Sequence, residues 1–209
     1  MSLVEEIEEG DINTRIRRAA EEEFSRRGYH RTVVDDIADR ADVGKGTVYR
    51  HYEDKKHLFL EIMSQGARRL VDRVKEKDFS VGNVEENLWK LAEAQLELFR
   101  ESRPLVGLVV QEGYQIDGVD QAGFFGIIRE LIKVVTKVFR REIQAGHLKS
   151  SHDPEELARL FIGQLWSIVR GAIVFEESIE AVEEKFNTAL EIFLQGTLEN
   201  EGSNYEKEI

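Results

Sequence analysis

The sequence predicts an all-α chain of about nine helices, in which a small N-terminal three-helix head is joined to a larger helical bundle. Only 2 of the 209 residues are proline and 41% are hydrophobic, a composition that favours long uninterrupted helices. Apolar residues recur at helical spacing along most of the chain, and no segment gives a convincing strand pattern. We expect a head over residues 1–60, a bundle over 61–200 and a disordered tail over 201–209.

The composition excludes several classes of protein. The chain contains no cysteine, which rules out disulfides, thiolate metal sites and a cysteine nucleophile. No stretch approaches the roughly 20 consecutive apolar residues of a membrane span. The acidic segment 1–11 lacks the basic start and apolar middle of a secretory signal. We therefore expect a soluble, cytoplasmic protein with no membrane partner.

Three helices are predicted in the head. The first carries an apolar stripe that stops near Gly28, because glycine is favoured just past helix ends. Thr32 is expected to cap the second helix, which ends at a tight turn over 41–43. A short third helix runs from about Gly44 to Tyr49.

Capping residues and helix-breaking residues predict where the helices in the first half of the bundle begin and end. Asp54 is expected to cap a long fourth helix that fades at a loop over 77–83. A fifth helix is predicted over 84–100, and a shorter sixth helix follows Pro104 and ends near Gly113. A glycine-rich loop then leads to the seventh helix.

The last three helices have the clearest start signals. The seventh begins at Phe124 and has apolar residues on two faces, which predicts burial on two sides. Asp153 and Pro154 fit the N-cap and first position of the eighth helix. Ser178 opens the ninth, and the polar residues from Asn200 onward are expected to fray.

Charge divides the chain unevenly. The net charge is −12, yet residues 13–60 carry eleven Lys and Arg against nine Asp and Glu. A near-neutral, arginine-rich head thus precedes an acidic body. This asymmetry permits DNA contact through one end only, although ordinary solvated helix charge also explains it.

The order of the first helices is that of a helix-turn-helix, in which the second helix of the pair enters a DNA groove. Gly46 has no side chain to hold the backbone off a duplex. Thr47 offers a hydroxyl to a base edge and a methyl group to thymine, whereas Lys45 and Tyr49 suit phosphate contacts. The candidate DNA-binding residues are Thr32, Lys45, Gly46, Thr47, Tyr49, Arg50, His51 and Lys55.

This stretch closely resembles the TetR family of bacterial transcriptional repressors. The resemblance covers about 50 residues, roughly a quarter of the chain. Asp42 stands where the family usually has glycine in the turn, and aspartate tolerates the left-handed conformation needed there. Gly44 stands where a serine cap is common. The matching residues are Ala19–Phe24, Gly28–Tyr29, Thr32–Ala38, Ala41–Tyr52, Lys55 and Leu58–Phe59.

The resemblance implies a homodimer that binds double-stranded operator DNA and is released by a small-molecule inducer. Ligand binding would change the spacing of the two heads, so that they no longer fit adjacent major grooves about 34–36 Å apart. The aromatic middle helices favour an apolar or amphipathic inducer. The candidate ligand-binding residues are Trp89, Phe99, Tyr114, Phe125, Phe161, Trp166 and Arg170.

The last two helices are predicted to form the dimer interface. The eighth helix has more apolar surface than one neighbour covers, and the terminal helix keeps a full apolar stripe that a symmetric copy would bury. Gly163 and Gly171 permit close helix approach. The candidate interface residues are Val182, Phe186, Ala189, Leu190 and Phe193.

Other chemistries fit the sequence less well. Residues 44–47 hint at a phosphate-binding loop, but the Walker pattern requires glycine where Asp39 stands. A metal site is disfavoured because Asp153 is predicted to cap a helix and the nearby histidines are predicted to lie in a loop. The residues considered for that site are His147, His152, Asp153 and Glu155.

Two further classes of function remain as alternatives. The first is a helical carrier or binding module for small molecules that no longer binds DNA. The second is an enzyme, for which no nucleophile elbow or local catalytic set is present. We expect no enzymatic activity, no cofactor and no metal.

Overall fold

The computed structural model describes the backbone of residues 3–112 and 123–198 and the side chains of residues 11–110 and 123–198. Within these ranges the chain forms nine α-helices and no strand, which confirms the predicted fold class. The predicted tail over 201–209 and most of the predicted loop after the sixth helix lie outside the described residues. The helices are α1 (Leu3–Arg31), α2 (Val34–Ala41), α3 (Lys45–His51), α4 (Lys55–Glu76), α5 (Val84–Glu101), α6 (Arg103–Glu112), α7 (Phe124–Gln144), α8 (Pro154–Val174) and α9 (Ile179–Thr197).

The predicted caps account for several helix starts. Asp153 accepts hydrogen bonds from two backbone N–H groups in the first turn of α8, each at 2.9 Å. Ser178 accepts one from the N–H of Ala181 at 3.2 Å, and Asp54 accepts one from the first turn of α4 at 2.8 Å. These side chains satisfy N–H groups that have no partner inside the helix.

The connection between α1 and α2 differs from the prediction. Gly28 has a positive φ of 77° and interrupts the helical path within α1, as its position suggested. The prediction that Thr32 caps α2 is wrong, because Val33 occupies the N-cap position and no side chain caps the helix. The Thr32 hydroxyl instead lies 2.8 Å from the carbonyl oxygen of Gly28.

The described residues form two compact units. The first comprises residues up to Leu70 together with those between Glu97 and Ile128. Its core holds apolar residues of α1 to α4 and of α6, among them Leu105. Phe24 of α1 meets Phe59 of α4 edge to face, with ring centroids 5.3 Å apart. This core fixes α2 and α3 against the longer helices.

The second unit comprises residues 71–96 and those from Arg129 onward. Phe139, Phe161 and Phe193 form an aromatic cluster that joins α7, α8 and α9, with centroid separations between 5.2 and 5.8 Å. Leu148, in the α7–α8 connection, also forms an isolated antiparallel bridge with Leu198 at the end of α9.

The helix α8 is unusually apolar. By length and composition alone it is the one described helix that would suffice to cross a membrane, with a mean hydropathy of 1.4 over 18 residues. Only a third of that window is buried within the chain.

Candidate DNA-binding site

Hydrogen bonds within α2 and its turn, and further hydrogen bonds from α1, hold the turn between α2 and α3 in place. Asp42 adopts a left-handed conformation (φ 52°, ψ 52°), as predicted for this position. The N–H of Val43 donates to the carbonyl oxygen of Ala38 at 3.0 Å. Arg15 of α1 donates to the carbonyl oxygens of Ala41 and Asp42 at 2.6 and 2.7 Å. The turn is therefore tied to α1 as well as to its own helices.

One residue of α3 is buried in the core, and four of its residues are exposed. Val48 is the buried residue of this helix, whereas Lys45, Gly46, Tyr49 and Arg50 are exposed. A Cβ atom placed on Gly46 would meet no atom within 4 Å, so the backbone here is open to an approaching partner.

Two other predicted contact residues of α3 are half-buried. Thr47 is partly exposed beside Gly46, and His51 lies in the last turn. The Nε2 atom of His51 is buried and has no hydrogen-bond partner. Any contact that His51 makes with a partner would therefore use another atom of the ring.

Lys45 is paired with an acidic residue of α2. Its Nζ atom lies 2.8 Å from Oδ1 of Asp35, and both side chains are more than half exposed. The hydrogen bond to Asp35 and the charge of its carboxylate raise the pKa of Lys45 above its ordinary value. Lys45 is therefore protonated and positively charged, and Asp35 of the same chain is its partner on the exposed surface.

Thr32 and Lys55 face the interior of the head. Thr32 has no exposed surface, and its hydroxyl lies 2.8 Å from the carbonyl of Gly28 and 3.1 Å from that of Glu23. The Lys55 ammonium donates to the carbonyl oxygens of Tyr29 and Thr32 at 2.8 and 2.9 Å. Both residues hold the α1–α2 connection in place.

A buried carboxylate links α1 to α2. Glu23 is 1% exposed and accepts hydrogen bonds from Arg26 at 2.8 Å and from Arg40 at 2.6 Å. Burial would raise the pKa of Glu23, but the hydrogen bonds and charges of Arg26 and Arg40 outweigh burial and lower it. Arg27 adds a further contact to Glu23 and pairs with Asp36.

Sequence reasoning missed several residues of this surface. The sequence predicted no specific contact for Arg15 or Glu23, yet they tie α1 to the turn and to α2. No DNA contact was predicted for Asp35, which lies in the matching run Thr32–Ala38. Val33 lies in the same run, and it is an exposed apolar residue at the N-cap of α2. No local spacing signals contacts over such sequence distances.

The predicted ligand-binding residues fall in both units. In the first unit, Phe99 is fully buried, with the Arg103 guanidinium 5.2 Å from its ring centroid. Phe125 is half-buried beside Phe124. Tyr114 lies outside the described side chains.

In the second unit, Phe161 belongs to the aromatic cluster. Trp89 and Trp166 are half-buried, and Arg170 is exposed. On the same helix as Trp166, the amide nitrogen of Gln164 is buried and has no hydrogen-bond partner.

The predicted interface residues lie mainly inside the chain. Val182 and Phe186 have no exposed surface, and Leu190 is also buried. Ala189 and Phe193 are half-buried. The large exposed apolar residues of α8, α9 and the adjoining C-cap are instead Leu160, Val174, Phe175 and Ile192.

Among the residues that the structure describes, no group of three His, Asp or Glu side chains is arranged to hold a metal ion. His147 lies 2.7 Å from the carboxylate of Glu142, and Asp153 serves as the cap of α8.

The geometry of α2, its turn and α3 is that of a helix-turn-helix. Residues 16–62 match the family model described as bacterial regulatory proteins, tetR family. The matched residues contain α2, its turn and α3, so this part of the chain is similar to the tetR family of bacterial regulatory proteins.

Two curated relatives extend the comparison. The HTH-type transcriptional activator FasR of Mycolicibacterium smegmatis is 30% identical over 96 residues, covering 46% of this chain and 44% of FasR. The fatty acid metabolism regulator protein of Bacillus subtilis is 20% identical over 178 residues, covering 85% of this chain and 91% of that protein.

The fold is also that of a solved regulator. The crystal structure of FadR from Bacillus subtilis in complex with stearoyl-CoA aligns with a TM-score of 0.73 and 24% identity. The alignment covers 88% of this chain and 98% of FadR. This likeness establishes the shared fold.

Proposed function

We propose that this chain is a homodimeric transcriptional repressor that binds a two-fold symmetric operator and is released by a small apolar or amphipathic molecule. The observation that carries the proposal is the exposed surface of α3, which follows a turn tied to α1 by Arg15. Such a regulator acts in the cytoplasm, where bacterial DNA lies. The function requires no catalytic residue, cofactor or metal.

The exposed residues of α3 supply the chemistry of groove recognition. Lys45 and Arg50 are cations suited to phosphate oxygens, and the Tyr49 hydroxyl can donate to a third phosphate. Thr47, which is half-buried, can offer its hydroxyl to a base edge and its methyl group to thymine. Gly46 lets the helix backbone approach the duplex closely.

A second copy of the chain is proposed to cover the exposed face of α8 and α9. Leu160 and Val174 lie 14 residues apart on one stripe of α8, and each is more than 60% exposed. A Cβ on Gly163 or Gly171 of the same helix would meet no atom within 4 Å. The two glycines lie between these apolar residues and let two helices approach closely, and a two-fold interface uses the same patch on both copies. We therefore place the interface at this face, with Phe186 as its internal support.

The proposed inducer is amphipathic, and a long-chain acyl-CoA is the first probe. Support comes from the half-buried aromatic residues Trp89 and Trp166 of the second unit. The solved structure of FadR from Bacillus subtilis holds stearoyl-CoA, and a curated match from the same organism is named a fatty acid metabolism regulator protein. Because FasR is named an activator, a reporter-gene experiment must also decide whether this chain represses or activates transcription.

The proposal is tested by titrating labelled duplex DNA from the region upstream of the protein's own gene. We expect tight binding that a mixed-sequence duplex does not compete, and loss of binding when stearoyl-CoA is added. By linkage, the duplex must weaken stearoyl-CoA binding by the same factor. A reporter gene behind this DNA should be expressed more strongly when the protein is deleted.

Three results would contradict parts of this account. Stearoyl-CoA binding without any DNA binding would favour the carrier function. DNA binding that stearoyl-CoA and other amphipathic ligands leave unchanged would remove the proposed inducer class. Lower reporter expression after deletion would make the protein an activator.

A further inference from the structure

The exposed surface of α3 carries an acidic neighbour at the point where DNA contact is proposed. Asp35 lies in the first turn of α2, and its Oδ1 atom is 2.8 Å from Nζ of Lys45. The side chains of Asp35 and Lys45 remain 59% and 53% exposed. A phosphate that approaches Lys45 therefore reaches an ammonium that a carboxylate already holds.

The second acid in the same turn has a different environment. Asp36 is half-buried and pairs with Arg27 of α1, inside the charged network around Glu23. It therefore connects α1 to α2. Asp35 forms its ion pair with Lys45 on the solvent side, where ion pairs contribute little to folding. The ion pair of Asp35 with Lys45 therefore contributes little to the stability of the fold.

The physical consequence is competition between two anions for one cation. A DNA phosphate either displaces the Asp35 carboxylate from Lys45 or binds with that negative charge close by. Both arrangements weaken DNA binding, and neither depends on base sequence. The cost falls at one of the few cations on the exposed face of α3.

We propose that Asp35 is an affinity-setting residue, which competes with DNA phosphate for Lys45 and lowers the affinity of the head for DNA of any sequence. This inference rests on the proposed DNA-binding function. A lower absolute affinity makes release by an inducer easier, because the ligand needs to supply less coupling free energy to free the operator.

The test compares Asp35→Asn with Asp39→Asn. Asp39 is an exposed acid on the same helix, so its substitution changes the net charge equally without touching the Lys45 pair. Both variants, Lys45→Ala and the double variant Asp35→Asn/Lys45→Ala are titrated against a fluorescein-labelled mixed-sequence duplex over a series of NaCl concentrations. Thermal melting confirms that each variant folds.

The expected result is specific to the pair. Asp35→Asn should tighten binding about three- to fivefold per head at low salt, clearly more than Asp39→Asn. The slope of log affinity against log salt should become more negative, by up to about 0.9 per head, because one more phosphate is neutralised. In the Lys45→Ala background, Asp35→Asn should change the affinity no more than Asp39→Asn does.

Other results would contradict either the inference about Asp35 or the proposed function. If wild-type protein binds the duplex but Asp35→Asn matches wild type or Asp39→Asn, the inference is wrong. An effect that persists in the Lys45→Ala background would also overturn it. Weaker binding of Asp35→Asn than of wild type would also overturn the inference, because the carboxylate would then favour DNA binding. A folded wild-type protein that binds no duplex at low salt would overturn the proposed function itself.

Discussion

The ammonium group of Lys55 donates a hydrogen bond to the main-chain carbonyl oxygen of Thr32 at 2.9 Å. It also donates to the carbonyl of Tyr29 and lies 4.4 Å from the centroid of the Tyr29 ring. The end of α1 carries carbonyls that lack helical partners, and a cation is the favourable group there. Two residues that the motif assigned to DNA thus stabilise the α1–α2 connection.

The first prediction concerns the stability of the head. Lys55→Ala removes charged hydrogen bonds to two carbonyl groups and should lower the free energy of unfolding by about 1.5–3 kcal/mol. The neighbouring Lys56→Ala is the control and should change stability by less than about 0.5 kcal/mol. Urea unfolding measures both. If Lys55→Ala keeps wild-type stability and loses DNA affinity as Lys45→Ala does, Lys55 is a phosphate contact instead.

Local signals predicted most of the fold, whereas distant contacts were not predictable. Asp153 and Ser178 were found because a cap acts within three residues of its own position. The stripe through Phe186 was correctly seen as apolar, but periodicity cannot tell whether such a stripe faces its own protomer or a partner. Lys55 and Asp35 were placed by motif and helix position, and their partners lie at least 10 residues away.

The second prediction concerns Asp42. A left-handed conformation costs a non-glycine residue about 1–2 kcal/mol, less for aspartate, and the ion pair with Arg15 at 3.3 Å is exposed. Asp42→Gly should therefore raise the free energy of unfolding by up to about 1 kcal/mol. Asp42→Ala, the matched control, should lower it. A glycine variant less stable than the wild-type protein would show that the ion pair outweighs the backbone strain, and one less stable than the alanine variant would contradict the strain itself.

The third prediction follows from the lowered pKa of Glu23. The ionised form is favoured in the folded state, so its stabilising effect is complete well above the ordinary pKa of 4.5 and is lost as the pH falls below that value. At pH 7, Glu23→Gln should lower the free energy of unfolding by about 1.5–3 kcal/mol.

The deficit of Glu23→Gln should shrink as the pH is lowered toward about 3. Chemical unfolding of both proteins across this range measures it, with the exposed pair of Arg159 and Glu155 disrupted by Glu155→Gln as a control that should change little. A deficit that stays constant with pH would mean that Glu23 acts through packing rather than charge.

The fourth prediction separates the core of α9 from its exposed face. Ile192 is 65% exposed, so Ile192→Glu should leave a folded protomer that no longer dimerises. Phe186→Ala should cost about 3–5 kcal/mol of folding free energy, because Phe186 is fully buried in its own unit. Sedimentation and thermal melting distinguish the two effects. A folded wild-type monomer at micromolar concentration would contradict the proposed interface and the spacing mechanism.

The central claim is that a dimer of this chain reads a two-fold symmetric DNA site through α3. Footprinting on the DNA that flanks the protein's own gene, at low salt and with protein shown to be folded, tests it most directly. The account predicts protection of two inverted half-sites whose centres lie about one helical turn, 34–36 Å, apart or a multiple of that distance. Thr47→Ala should alter which bases are required within each half-site. Protection without sequence preference, or no protection at all, would contradict the claim.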